Sequence, residues 1–150
     1  MINQLLEAVW MCPPRGTHPA WVDQTTAAIA TDLVRLTFAQ SPMVQVAPCE
    51  VEIPGAYPAL GIKLQEVSEA TEMPAGWPED WKASTQIDEI QKYLPATISE
   101  VRVWDALGEG PDSAVQLVLA TGLTLTVRHQ YPPMTLGVDL GARSRTPDTA

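Results

Sequence analysis

The sequence predicts an α+β fold, in which one long N-terminal helix packs on a face of a mainly antiparallel sheet that ends in a C-terminal β-meander. The first observation is an apolar stripe at helical spacing over residues 19–40. The second is the alternation of apolar and polar residues over residues 43–64 and 98–140. The third is the length of 150 residues, which is that of one domain.

The long helix is predicted over residues 19–40, with Pro19 in its first turn and Pro42 just beyond its end. One face is apolar, and the charged residues lie largely elsewhere. This face is lined by Trp21, Val22, Ile29, Leu33, Leu36 and Ala39. The same spacing rule predicts two shorter helices, over residues 3–10 and 85–94.

The strands are predicted from period-two alternation. Residues 43–64 contain apolar runs interrupted by proline, which suits edge strands or strand ends. The C-terminal third contains four runs separated by turns, which is typical of a β-meander. These runs are built on Ile98, Val101, Val103 and Trp104, then Val115, Leu117 and Leu119, then Leu123, Leu125 and Val127, and finally Leu136, Val138 and Leu140. Residues 1–140 are predicted as a single globular domain, and residues 141–150 as a flexible polar tail.

A Tyr-Pro pair precedes a glycine-containing strand twice, at Tyr57 and at Tyr131. Both pairs are predicted to be corners of hairpins, because proline stops strand pairing and the tyrosine ring can cover the end of the sheet. Gly61 and Gly137 are predicted where a bulge or a close approach leaves no room for a β-carbon. Two similar corners explain the likeness without an internal duplication or a shared ligand.

The charge balance limits the partners. Nine basic residues stand against 18 acidic ones, which gives a net charge of −9. Such a chain is repelled by nucleic-acid phosphates and by anionic membranes, whereas it suits a basic protein partner. The N-terminus lacks the basic region of a signal peptide, and two cysteines do not make a disulfide framework. A cytoplasmic location is therefore expected.

No pattern of catalytic or metal-binding residues stands out. Zinc sites pair their ligands at short spacing, whereas Cys12, His18, Cys49 and His129 are scattered along the chain. Neither cysteine lies in a sequence typical of a catalytic thiol, and no glycine-rich phosphate loop or nucleophile elbow is present. The sequence thus predicts no catalytic residue, no metal and no cofactor, and it favours a non-enzymatic protein.

The stretch of residues 66–81 is the most distinctive one in the chain, because it is acidic, contains tryptophan and lacks basic residues between its acids. Tryptophan is common among interface hot spots, and carboxylates around it can steer a basic partner. The alternative is that the tryptophans pack on the core and the acids are merely solvated. The predicted partner-binding residues are Glu66, Glu69, Glu72, Trp77, Glu79, Asp80 and Trp81.

The leading hypothesis is therefore an acidic binding protein, of which an immunity-type protein that neutralises a basic toxin is the concrete case. A second hypothesis is a small enzyme or ligand-binding domain, with a pocket around Arg102, His129 and Tyr131. A third is a subunit of a larger assembly. The sequence leaves the identity of the partner and the oligomeric state open.

Overall fold

The computed structural model describes residues 1–11, 29–31, 33–68, 85–86, 88–130 and 134–142. These residues form ten β-strands and one four-residue helix. The elements, in chain order, are β1 (Leu5–Met11), β2 (Ile29–Thr31), β3 (Val34–Phe38), β4 (Met43–Val51), β5 (Ala59–Val67), β6 (Thr85–Gln86), α1 (Asp88–Gln91), β7 (Ala96–Trp104), β8 (Ala114–Leu119), β9 (Leu123–Gln130) and β10 (Thr135–Ala142).

The strands pair antiparallel throughout, in the order β2-β10-β9-β8-β7-β1-β3-β4-β5, and β6 pairs with β1 beside this path. The strands β7 to β10 form a meander, in which each strand lies next to its neighbour in the sequence. Among the described residues, strand pairing joins this meander to the first half of the sheet at Leu5 with Thr97 and at Leu6 with Ala96, and backbone hydrogen bonds link Asn3 and Gln4 to Ile98. This short joint lets the two halves turn towards each other.

The two halves share one hydrophobic core. The cluster of buried side chains includes Leu6, Val34 and Val46 from the first half and Leu117, Leu125 and Leu136 from the meander. The halves also meet at residues 60–62 of β5, which contact Glu109, Asp112 and His129; we call these contacts the seam. Two packed half-sheets around a common core make an all-β fold.

The prediction of an α+β fold with a long N-terminal helix is wrong. The C-terminal part of the predicted helix forms β2 and β3, while residues 12–28 lie outside the described residues. Leu33 and Leu36 are spaced as on a helix. Val34, Leu36 and Phe38, however, are spaced by two residues, and all three point into the core. The strand period prevails because β1 and β4 pair with β3 on both sides.

The helix predicted over residues 3–10 is also wrong, because this segment forms β1. A β-bulge at Glu7 explains the misleading pattern: it separates the core residues Leu6 and Val9 by three positions, as on a helix. The side chain of Gln91 holds this irregular backbone. The N–H of Val9 donates to Gln91 Oε1 at 3.1 Å, and Gln91 Nε2 donates to the carbonyl of Glu7 at 3.3 Å.

The helix predicted over residues 85–94 is reduced to the single turn of α1, with β6 ahead of it. Ile90 faces inward as expected and is buried. Beyond the helix, the N–H of Leu94 donates to the carbonyl of Gln91 at 3.0 Å, so the chain tightens into a turn. Pro95 follows, and a residue that precedes proline disfavours the helical conformation.

The strands of the C-terminal third lie where the alternation predicted them, at β7 to β10. The last strand ends at Ala142, slightly beyond position 140, where the polar tail was predicted to begin. Residues 143–150 lie outside the described residues. The division into one domain and a tail therefore stays a prediction.

Candidate functional site

The structure describes one residue of the predicted acidic surface. Glu66 lies near the end of β5 with its side chain exposed. The remaining predicted partner-binding residues, Glu69, Glu72, Trp77, Glu79, Asp80 and Trp81, lie outside the described residues. The role of this stretch stays a prediction.

His129, from the predicted ligand pocket, is buried with 1% of its surface exposed. Its Nδ1 lies 2.8 Å from the carbonyl oxygen of Gly61, and its Nε2 accepts a hydrogen bond of 2.8 Å from the N–H of Met134. A carbonyl requires a donor and an N–H requires an acceptor, so the ring carries its proton on Nδ1. Both nitrogens thus hold backbone groups in place.

Arg102 and His129 lie on opposite faces of the meander. Arg102 pairs with Gln116 on β8, and Gln116 pairs with Thr126 on β9, so these three side chains share one face of the sheet. His129 is three residues from Thr126 on β9, so its side chain lies on the opposite face, which is the core face. The guanidinium of Arg102 instead pairs with Glu100 at 3.0 Å on the same strand. Tyr131 lies outside the described residues. Arg102 and His129 therefore do not line one pocket.

Cys49 is half-buried in β4, whereas Cys12 lies outside the described residues. Burial raises the pKa of the Cys49 thiol, and the positive charge of Lys63 offsets part of this effect. A raised pKa disfavours the thiolate that a nucleophile needs. In the described ranges, no three His, Cys, Asp or Glu side chains cluster as a metal ion requires. Nor does any helix there have the length and apolar character to cross a membrane.

The most exposed apolar feature of the described residues is the end of β4 together with the loop that leads to β5, residues 50–58, which we call the tip. Every residue of the tip is exposed, and the last strand pair below it joins Val51 to Ala59. The chain turns at Gly55, whose φ of 77° favours glycine. Tyr57 is 94% exposed and Ile53 is 39% exposed. The prediction that the ring of Tyr57 covers the end of the sheet is therefore wrong.

An open groove of about 490 Å³ lies along the tip. Its lining consists of Glu52, Ile53, Pro54, Ala56 and Pro58, and polar atoms contribute about as much of it as apolar atoms do. Two prolines in a short loop restrict its backbone, so the groove is largely preformed. A preformed concave surface that offers apolar side chains together with placed polar groups is typical of recognition sites.

The loop between β7 and β8, residues 105–113, is ordered by its own side chains. The carboxylate of Asp105 accepts hydrogen bonds from the N–H groups of Gly108 at 2.8 Å, Glu109 at 3.1 Å and Gly110 at 2.8 Å. These bonds, that from Gly110 foremost, lower the pKa of the Asp105 carboxyl. Ser113 Oγ accepts a further bond of 2.8 Å from the N–H of Ala106. The loop is therefore held in one shape.

The seam attaches this loop to the base of the tip. The N–H of Leu60 donates to Glu109 Oε1 at 3.0 Å, and the N–H of Ile62 donates to the carbonyl of Asp112 at 2.8 Å. Gly61 makes this approach possible, because a β-carbon there would lie 3.0 Å from the carbonyl oxygen of Asp112. Of the two alternatives predicted for Gly61, a bulge or a close approach, the structure shows the close approach.

The tip and the loop of residues 105–113 together form one acidic surface, which we call the tip surface. Residues 50–62 and 105–113 contain no lysine and no arginine. Their acidic residues are Glu50, Glu52, Asp105, Glu109 and Asp112. Exposed apolar groups surrounded by negative charge attract a partner that is both apolar and basic.

Neither a protein-family model, nor a curated protein, nor a solved structure matches this chain.

Sequence reasoning overlooked the tip surface, although a signal was present. The segment VEIPGAYP places Ile53 and Tyr57 around a Pro-Gly turn, where a large apolar side chain has little sheet beneath it. The contribution of residues 105–113 had no such signal, because 49 positions separate Glu109 from Leu60, the residue that it contacts on β5.

Proposed function

We propose that this chain is a non-enzymatic binding protein that recognises a basic protein through the tip surface. The observation that carries the proposal is the exposure of Tyr57, at 94%, on a projecting loop that two prolines restrict. Exposed tyrosine on a rigid support is typical of interface hot spots, because it gains a large contact area at a small loss of conformational entropy.

The charge of the tip surface supports a basic partner. Its five carboxylates and the net charge of −9 attract a cationic protein and raise its rate of association. The same charges repel phosphate backbones and anionic lipids. Within the tip surface, the exposed acids Glu50 and Glu52 lie closest in sequence to the apolar anchors Ile53 and Tyr57.

The biological form that we propose is a cytoplasmic immunity-type protein that neutralises a basic toxin. The acidic stretch of residues 66–81 would steer the same partner from a second position. Glu66 lies six residues along β5 from Leu60, which corresponds to roughly 20 Å in a strand. The partner would therefore contact the tip with its apolar centre and the acidic stretch with its basic rim.

The experiment is a pull-down of the tagged chain from a lysate of its source organism at low and at high salt, followed by mass spectrometry. We expect a stoichiometric basic protein that is retained more strongly at low salt. The Tyr57→Ala variant should lose about 2 kcal/mol of binding free energy, or roughly 30-fold in Kd.

Tyr93→Ala is the matched control, because Tyr93 is 41% exposed on a different part of the chain, directly after α1. It should bind as the wild type does. A chain that captures no basic protein at either salt concentration contradicts the proposal. Equal affinities of the Tyr57→Ala variant and the wild type would contradict the assignment of the tip.

The steering role of residues 66–81 has a separate test. Neutralising Glu66, Glu69, Glu72, Glu79 and Asp80 together should slow association and weaken its dependence on salt, with a smaller effect on dissociation. Unchanged association kinetics would remove this stretch from the proposal and leave the tip surface in place.

A further inference from the structure

The residues that line the groove along the tip indicate which kind of side chain it can bind. Four of its lining residues have apolar side chains, Ile53, Pro54, Ala56 and Pro58, and Glu52 contributes the one carboxylate. Its volume of about 490 Å³ is sufficient for one long side chain together with part of the backbone that carries it. The occupant must therefore combine an apolar stem with a cationic end.

We propose that the groove holds an arginine side chain of the protein partner. Its methylene groups lie on the prolines and the alanine, and its guanidinium pairs with the carboxylate of Glu52. This inference rests on the proposed function, since the arginine belongs to the basic protein that the tip surface recognises.

Three features favour arginine over other side chains. A long stem can cover the apolar side chains of the lining while its charged end reaches the carboxylate of Glu52. The planar guanidinium can donate two parallel hydrogen bonds to one carboxylate. The exposed ring of Tyr57, which lies between two groove residues in the chain, offers a face on which a guanidinium can stack.

Other occupants fit less well. A neutral apolar side chain would remove water from Glu52 without supplying a hydrogen-bond donor. A second copy of this chain would bring its own tip surface and net charge of −9 against the first, and like charges repel. A lysine supplies charge, but it lacks the planar pair of donors and the stacking surface.

The test is an NMR titration of the full ¹⁵N-labelled chain with three synthetic peptides that differ in one residue type: Ac-Gly-Arg-Gly-Arg-Gly-NH₂, its lysine analogue and its citrulline analogue. Citrulline has the shape of arginine without its charge. We expect the arginine peptide to shift the amide signals of residues 52–57, with saturation at millimolar concentrations. The lysine peptide should bind several-fold more weakly, and the citrulline peptide should leave these signals unchanged.

Two variants sharpen the test. Glu52→Gln keeps the shape of the side chain and should weaken binding of the arginine peptide by roughly three- to tenfold, because a charge-assisted pair becomes a neutral one. Glu7→Gln removes an exposed carboxylate from β1, outside the tip surface and the stretch of residues 66–81, and it should leave the titration unchanged. Unaltered melting temperatures show that both variants are folded.

The outcomes separate this inference from the proposed function. Equal binding of the arginine and citrulline peptides, or of the arginine and lysine peptides, overturns the assignment of arginine. So does a captured basic protein whose Kd is the same for the wild type and for Glu52→Gln, although the proposed function then stands. If the pull-down captures no basic protein, the proposed function fails, whatever the peptides do.

Discussion

The Nδ1–H group of His129 donates a hydrogen bond of 2.8 Å to the carbonyl oxygen of Gly61, across a sequence separation of 68 residues. The other ring nitrogen accepts a hydrogen bond from the N–H of Met134. One buried side chain thereby joins β5, which begins at the tip, to β9 and to the turn before β10. A residue that resembled a ligand-binding group in the sequence instead holds the two halves of the sheet together.

Substitutions of His129 should distinguish the contributions of its two hydrogen bonds to the unfolding free energy. Asparagine can retain the donor to Gly61, and glutamine can retain the acceptor for Met134. Each variant should lose about 1–3 kcal/mol of unfolding free energy, because one buried backbone group loses its partner, and alanine should lose more. Urea denaturation measures these differences. Three variants as stable as the wild type would contradict a structural role for His129.

The Gly61→Ala variant should be destabilised by about 1–3 kcal/mol, because its β-carbon would lie 3.0 Å from the Asp112 carbonyl oxygen and 3.1 Å from Pro111 Cβ. Gly141→Ala is the matched control in a strand. There the nearest atom, Thr124 Oγ1, is 3.6 Å away, which is an ordinary contact. This control should be neutral or more stable by up to about 1 kcal/mol. Denaturation midpoints that rank the two variants in the opposite order would refute a close approach at Gly61.

Asp105 should make the stability depend on acid pH. Its pKa is lower in the folded chain, so its contribution is complete above the unfolded value of about 4 and disappears as the pH falls through the folded value. The Asp105→Asn variant should therefore be less stable than the wild type near neutral pH, and the difference should shrink at acid pH. Urea denaturation across this range tests the expectation, with Asp112→Asn as a control from the same loop. A difference that is constant with pH would contradict it.

Tyr57 should contribute to binding and not to folding. With 94% of its surface exposed, its replacement by alanine should change the unfolding free energy by less than about 0.5 kcal/mol. Leu117→Ala, in the core between the half-sheets, should cost about 2–5 kcal/mol in the same assay. A large loss of stability in the Tyr57→Ala variant would show that the ring packs on the chain.

Local patterns predicted the strands in which neighbours in the sequence are also neighbours in the sheet. The meander of β7 to β10 follows from alternation, because each of its hairpins needs a turn and two half-buried strands. The N-terminal strands were mistaken for helices for two identifiable reasons. In β1, the bulge at Glu7 changes the spacing of the apolar residues. In β3, apolar residues occur at both helical and strand spacing, because this strand is buried on both faces.

By itself, the sequence determined the acidic charge and the C-terminal strands, since these depend on composition and on neighbouring residues. The tertiary structure alone decided the remainder. Pairing with other strands keeps β1 and β3 extended, although their local spacing of apolar residues suits a helix. The seam places the acidic loop of residues 105–113 beside the tip. The exposure of Tyr57 also depends on the tertiary structure, because a side chain is buried only where other parts of the chain cover it.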